Sequence, residues 1–547
     1  MTARVLILAA GQASRMGRVK ALLPLPLGAA GECCSALEGL ARLFRQLGIE
    51  HISVVTGWHA ASIEPAAQAL GLAVVRNPRP EDGMFSSVCA GLSALAGGDP
   101  ALAETPVLVQ PVDVPLVRSM TIQALLEAHA ADPENVLVPT FVGQEGHPPL
   151  LPARHLAHVL RHARTGGENG LRGALEGLPV WHIPVADRLM LPDMDRPEDY
   201  ERMKLLALRR DVLRPDEALE LLRLHEVPEK GLRHARAVGT VAAALTKALV
   251  QVRRTKNLGA KGVTVPNPER APELAPDLGS EIASNLGAGR GTCRDSGPGS
   301  GPGSDSGVGP DSGFGSVFYA DLDPDLALAG GLVHDICKGE KGHEAAAGRL
   351  FRHLRLPLMA HLVEDHRDLT LSDDHPITER ELVFLADKYC YGGCFVPVRQ
   401  RFEQKLETFG AEAAQAIRGR MERALAMEAR LARELGCPAG GQGVRGHDQD
   451  CARGEAPQPP QPAQSPQLPQ SPQSLQAGQS PHLSRPPYPP YPPYPPYPED
   501  IAHDALAALA VQDNQTQGDG TPFAPCPDKA GGGAVLRVPS CPGQGGR

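Results

Sequence analysis

The opening run Val5-Leu-Ile-Leu-Ala-Ala-Gly-Gln-Ala-Ser-Arg-Met-Gly-Arg-Val-Lys20 constrains this chain more than any other feature. Residues 5–8 are apolar, too short a run for anything but a buried strand, and they lead directly into a loop containing Gly11 and Gly17. Glycine frees the backbone to turn its N–H groups toward an anion, and Arg15 and Lys20 place full positive charge beside those dipoles. Such a loop cradles phosphates. It lacks the Gly-Lys-Ser/Thr of a Walker loop and the glycine spacing of a dinucleotide fingerprint, so a third kind of cradle is expected.

Between residues 1 and 205, strand-like segments at 5–8, 51–56, 73–76, 107–110, 136–138 and 180–183 alternate with helix-like ones. The alternation predicts an α/β Rossmann-like domain, a mostly parallel sheet with helices on both faces. Ligands of such sheets bind at the carboxyl ends of the strands, where the glycine loop and Asp113 both fall. From Val212 the pattern becomes helical, and His234, Val238, Val241, Ala242 and Leu245 share one helical face, which turns the histidine inward. An all-α domain is expected over 212–435, interrupted at 257–316 by a disordered Gly/Pro/Ser/Asp-rich insertion. Residues 436–547 read as a disordered Pro/Gly-rich tail. Its Pro-Pro-Tyr repeat at 486–498 has the period of polyproline II, which suits a spacer better than a ligand for an aromatic groove.

The 59 Gly and 54 Pro of the 547 residues concentrate in these two stretches, so a substantial part of the length cannot bury a core. A net charge of −9 provides no broad basic field, which argues against nucleic-acid binding and leaves a charged small molecule as ligand. The 11 cysteines are odd in number and irregularly spaced, which fits reduced thiols rather than a disulfide framework. With no signal-peptide pattern and no apolar run of the ~20 residues a membrane span needs, a cytoplasmic protein without membrane contact is expected.

After the glycine loop come Asn77-Pro78, Gly83-Met-Phe-Ser-Ser87, Pro111-Val-Asp113-Val-Pro115, Gly146-His147-Pro148 and Asp193-Met-Asp195-Arg-Pro-Glu-Asp199. In that order the set resembles the MobA-like NTP transferases, in particular molybdenum cofactor cytidylyltransferase. The resemblance implies transfer of CMP from CTP, or of another NTP's nucleotidyl group, to a molybdopterin-type cofactor with release of pyrophosphate. A molybdoenzyme or its chaperone would be a further partner. Transfer of this kind asks the protein for cations and for oxygen ligands to magnesium. By resemblance Arg15 and Lys20 meet the phosphates, Asp113 and Asp195 hold Mg²⁺ with Asp193 as an alternative, and Ala9, Ala10, Gly11, Gly17 and Asn77 line the nucleotide site. Ser86 and Ser87 either contact substrate or cap a helix starting near Val88; His147 either meets the acceptor or pins a turn. The sequence departs from the family at Glu168, where an Asp is expected in the Gly166–Arg172 stretch, which leaves the acceptor contact there open. Leu-Ala-Ala-Gly is nearer the cytidylyl members than the guanylyl ones. A sugar phosphate is the alternative acceptor.

In the second region, His234, His334-Asp335 and Asp387 stand in the order that resembles the HD phosphohydrolases, and Gly331-Leu-Val-His-Asp-Ile-Cys-Lys338 carries Cys337 where glycine is common. This implies one or two divalent metals that activate water on a phosphate, with Lys338 neutralising substrate. Adjacent His-Asp in an apolar helix would bury an unpaired charge without a cation. His343 and His366 add ligands for a second metal, or His366 is a surface residue. A nucleotide-sensing module that binds without hydrolysis is the alternative.

Overall fold

In the computed structural model the described residues are 3–27, 32–97, 104–260, 322–369, 375–436 and 505–506, with 257–260 described as backbone only. Most of the expected insertion and tail, including the 486–498 repeat, lies outside them.

The first domain runs β1 (Arg4–Ala9), β2 (Pro24–Pro26), β3 (Cys33–Ser35), α1 (Ala36–Gln46), β4 (His51–Thr56), α2 (Ala60–Ala69), β5 (Ala73–Arg76), α3 (Met84–Ala96), β6 (Val107–Pro111), α4 (Ser119–Ala131), β7 (Val136–Phe141), β8 (Gln144–Glu145), β9 (Leu150–Leu151), α5 (Ala153–Arg164), α6 (Gly170–Leu175), β10 (Val180–Pro184) and α7 (Pro197–Leu208). Its main sheet has the order β10-β7-β9-β6-β1-β4-β5, with β8 on β7. The pairs β1–β4, β1–β6, β4–β5 and β7–β10 are parallel, and the short β8 and β9 run antiparallel to their neighbours. All the strand segments read from the sequence are present. The additional strands β2, β3, β8 and β9 are two or three residues long, too short to show a period.

Strand β1 is buried on both faces, as a central parallel strand should be. Val5, Ile7 and Ala9 join one core with Leu37, Leu40 and Phe44 of α1, while Leu6 and Leu8 join the opposite core with Val88 and Leu92 of α3. Helix α3 lies close because Gly91 faces the sheet: a Cβ there would come within 2.9 Å of Leu6 Cδ1. Since β1 and β6 are adjacent and parallel, with Leu8 opposite Pro111, the loops that follow them leave the sheet side by side, and Val112 N donates to Leu8 O at 3.1 Å.

The second region is built from α8 (Pro215–Leu224), α9 (Glu229–Ala260) and helices Pro324–Val333, His343–His353, Pro357–Val363, Glu379–Tyr389, Val398–Thr408 and Ala411–Leu435. One departure from the all-helical expectation is a small hairpin, Cys390–Tyr391 with Cys394–Phe395, turned by Gly392 and Gly393 at positive φ. The helical backbone of α9 continues to Ala260, past the expected insertion start at 257. Ala505, inside the stretch read as a coreless tail, is fully buried in the cluster of Tyr389, Ile417, Ala424 and Met427. A single alanine carries no periodicity, so composition alone could not find it.

The two regions share a core. Met120 and Ala186 of the first domain pack in one apolar cluster with Val212, Leu213, Leu332, Phe351 and Met359.

Candidate functional sites

The loops after β1 and β6 meet the segment before α7. Lys20 Nζ donates to Asp113 Oδ2 at 3.0 Å and to Asp195 Oδ1 at 2.6 Å, and Arg15 Nη1 reaches Asp195 Oδ2 at 3.4 Å. The backbone fixes this convergence: Met194 N donates to Asp113 O at 3.0 Å, and the fully buried Met194 side chain anchors the segment between Asp193 and Asp195. Burial opposes the charge on Lys20, but the Asp113 and Asp195 carboxylates outweigh it and raise the ammonium above its ordinary value. The hydrogen bond from Lys20 in turn lowers Asp195, while desolvation and the neighbouring Asp195 and Asp113 charges raise Asp193. Asp195 therefore holds its charge more firmly than Asp193. Two hard carboxylates beside a lysine match the donors a magnesium–triphosphate pair needs.

The glycine loop is held from below. Ala9 and Ala10 are buried, and Trp58 N donates to Ala10 O at 3.4 Å. Gly57 packs on Ala10 closely enough that a Cβ would come within 2.8 Å of it, and His59 Nε2 lies 2.9 Å from Gln12 O. Gly17 takes φ +68°, and Gly11 is exposed, so backbone is presented where side chains would intervene.

Beside this cluster an open cleft of about 810 Å³ is lined by Asn77, Arg79, Phe85, Cys89, His147 and Arg172 among others. Asn77 organises its wall: Nδ2 donates to Ser86 Oγ at 2.7 Å and Ser87 Oγ at 3.0 Å, while Oδ1 accepts from Arg79 N at 3.0 Å. The expected helix start near Val88 is corrected to Met84, with Gly83 as N-cap; Ser86 and Ser87 sit inside the first turn and tie it to Asn77 instead of capping it. His147 lines the cleft with Nδ1 buried and without a partner among the described residues, and desolvation lowers its pKa against the pull of Asp113 and Asp193. Gly166, Gly167, Asn169 and Gly170 also line the cleft; Glu168 does not. Arg79 carried no local signal, and Phe85 and Arg172, though inside the quoted Gly83–Ser87 and Gly166–Arg172 stretches, were not singled out as site residues, because only the fold places the three around one void.

In the helical region four histidines and two aspartates converge. His234 Nε2 is 3.3 Å from Asp387 Oδ1 and 3.7 Å from Asp335 Oδ2; His334 Nε2 is 3.5 Å from Asp335 Oδ2 and 3.7 Å from Asp387 Oδ1. The other Asp335 oxygen, Oδ1, faces His343 Nε2 at 3.1 Å and His366 Nε2 at 3.3 Å. Asp335 thus joins two ligand groups, His234–His334–Asp335 and Asp335–His343–His366. His366 is buried, so the surface alternative fails. Lys338 Nζ pairs with Asp335 Oδ2 while its side chain stays 63% exposed.

The outer contacts orient the rings. His334 Nδ1 is 2.7 Å from Gly331 O and His366 Nδ1 is 2.6 Å from Val363 O; carbonyls only accept, so both Nδ1 atoms carry a proton and both Nε2 atoms are the nitrogens that face inward. Burial pushes His334 down to about 3, against the Asp335 and Asp387 charges, so it is neutral at physiological pH. Its Nε2 is buried without a hydrogen-bond partner among the described residues, which is what a metal ligand looks like without its ion. The donor set fits divalent metal. Behind it Asp387 accepts from the buried Lys388 Nζ at 2.8 Å and Arg401 Nη2 at 3.3 Å. Arg401 went unread because nothing in local spacing joins it to Asp387. The expectation that His334 and Asp335 sit within a helix is corrected: the helix ends at Val333, and the pair occupies its C-cap and the following turn, free to point to both sides.

Comparison with known proteins finds two family-model matches in this chain. Residues 5–180 match the family model of the MobA-like NTP transferase domain, and residues 293–392 match that of the HD domain. No curated protein matches. Among solved structures, Rv0371c from Mycobacterium tuberculosis H37Rv is 24% identical over 38% of this chain and 99% of its own, at a TM-score of 0.31. A nucleotidyl transferase from Methanothermobacter thermautotroptrophicus is 24% identical over 38% and 98%, at 0.32. Molybdopterin-guanine dinucleotide biosynthesis protein A from Archaeoglobus fulgidus is 17% identical over 38% and 98%, at 0.29. No helix among the described residues is long and apolar enough to cross a membrane. The chain therefore joins a nucleotidyltransferase domain of the MobA-like NTP transferase family to an HD domain.

Proposed function

We propose that the first domain transfers CMP from CTP to a molybdopterin-type acceptor with release of pyrophosphate, and that the HD domain is a metal-dependent phosphohydrolase. The observation that carries the first half is the meeting of Lys20 with Asp113 and Asp195 at the carboxyl ends of β1 and β6. Arg15, Lys20 and the loop N–H groups hold the triphosphate, and the adjoining cleft takes the acceptor between Phe85, Arg79 and Arg172. Asp113 and Asp195 would hold Mg²⁺, which supplies charge neutralisation at the transferring phosphate when bound. Catalysis by this chain is then positioning and charge stabilisation. The acceptor and the base rest on the order of motifs and on Leu-Ala-Ala-Gly.

The second half rests on Asp335, whose two oxygens face separate histidine pairs. Divalent ions there would supply an activated water and polarise a phosphate oxygen. Lys338, exposed beside Asp335, would meet a substrate phosphate.

The deciding experiment is pyrophosphate release by the full chain with Mg²⁺, molybdenum cofactor and each NTP in turn, with Asp113→Ala as blank. Acceptor-dependent release with CTP supports the reading. Preference for GTP overturns the base assignment, and release with no nucleotide overturns the transfer.

A further inference from the structure

Glu217 lies outside the transferase domain, at the third position of α8, yet it is fully buried against that domain. Both carboxylate oxygens are fully used. Oε1 accepts from Arg118 Nη1 and from Arg188 N at 2.8 Å; Oε2 accepts from Arg118 Nη2 at 3.1 Å and from Arg214 N at 2.8 Å. Arg118 also engages the fully buried Asp187, side chain to Oδ1 at 3.1 Å and backbone N to Oδ2 at 2.8 Å. Asp187 Oδ1 then holds Leu189 N at 3.0 Å.

These contacts sit at the root of two segments. One runs from Asp113 to Arg118, the other from Asp187 to Asp195, and their far ends are joined by Met194 N donating to Asp113 O. Glu217 grips Arg118 on the first segment and Arg188 on the second. We infer that Glu217, supplied by the helical region, is a positioning residue of the transferase: it fixes the spacing of Asp113 and Asp195 around Lys20. Without the Glu217 charge, buried Arg118 keeps Asp187 as its one hydrogen-bonded carboxylate among the described residues, beside the Arg210 and Val212 carbonyls, and draws it away from Leu189 N, so the Asp187–Asp195 segment loses its root. The inference rests on reading Lys20, Asp113 and Asp195 as the transferase centre.

The test compares the full-length wild type, Glu217→Gln and Asp216→Asn. Asp216 is the neighbour of Glu217, pairing with Arg188 and Arg214 at the surface, and serves as control. For Glu217→Gln the Mg²⁺ concentration giving half-maximal transfer is expected to rise about 10- to 100-fold, the usual range for loss of a ligand-orienting contact, with HD metal content unchanged. Asp216→Asn should match wild type. A purely structural role would lower the melting temperature and leave the Mg²⁺ dependence of the folded enzyme in place; that outcome overturns the inference. If Glu217→Gln fails to fold, Arg118→Lys decides, since it keeps the cation and loses the fork: a raised Mg²⁺ requirement supports the inference and an unchanged one overturns it. If the wild type transfers nothing, the functional reading falls by itself. Positioning is then read from Mn²⁺ binding in an Asp335→Asn background, with and without Glu217→Gln: weaker binding supports it, equal binding overturns it.

Discussion

Lys20 shows what one residue does in the first site: it is the sole cation within hydrogen-bond distance of both Asp113 and Asp195 among the described residues. Lys20→Ala leaves two carboxylates facing each other and removes a charge from the phosphate site. Transfer should fall about 10²- to 10³-fold in kcat/KM, the scale of losing one preorganised electrostatic contact, as read by pyrophosphate release. Asp335 plays the linking part in the second site. Asp335→Asn should release divalent metal from both ligand groups, whereas His343→Ala should release it only from the group with His366. Elemental analysis of the purified variants separates the two outcomes. Cys89 offers a probe of the cleft. Burial pushes its thiol up to about 11, and only thiolate alkylates, so its modification should stay slow at neutral pH and accelerate toward pH 11, measured on the Cys89 peptide by mass spectrometry.

At the scale of elements, the HD centre depends on how closely two helices cross. Gly331, on helix Pro324–Val333, faces Gly239 of α9, and a Cβ on Gly331 would come within 2.6 Å of Gly239 Cα and 2.8 Å of its N. That neighbour is backbone and cannot turn aside. The crossing brings His234 of α9 to His334 and Asp335, and Gly331 O also orients the His334 ring. Gly331→Ala should push the helices apart, costing about 1–3 kcal/mol as overpacking does and weakening metal retention at the same time. A denaturation midpoint together with metal content checks both; lost stability with metal binding intact would contradict it. The glycines were visible in the sequence, but their meeting was not, since Gly331 lies 92 positions after Gly239 and no periodicity spans an insertion.

For the whole molecule, the shared cluster around Met120, Ala186, Val212 and Leu332 and the buried Arg118–Asp187–Glu217 network join the two domains through one buried interface. Calorimetry of the full chain should show a single transition. A fragment ending at 205 strips Arg118 of Glu217 and of the Arg210 and Val212 carbonyls. Breaking a buried ion pair in this way costs about 3–5 kcal/mol, so the fragment should melt well below the intact chain. Two independent transitions would refute that expectation.

The sequence by itself determined the strands of the first sheet, the helical character of the second region and the motifs from which the two candidate sites are read. Those features are local: a period of two residues or of 3.6, a glycine loop after a strand, a His-Asp dipeptide. Tertiary structure alone decided that Asp335 faces two histidine pairs, that Ser86 and Ser87 answer to Asn77, that Arg401 backs Asp387, and that Glu217 reaches across from α8 to the transferase loops. Each of these joins residues far apart in the chain through burial and charge. A one-dimensional pattern records which side chains are present; the packing of helices and strands decides which oxygen meets which nitrogen.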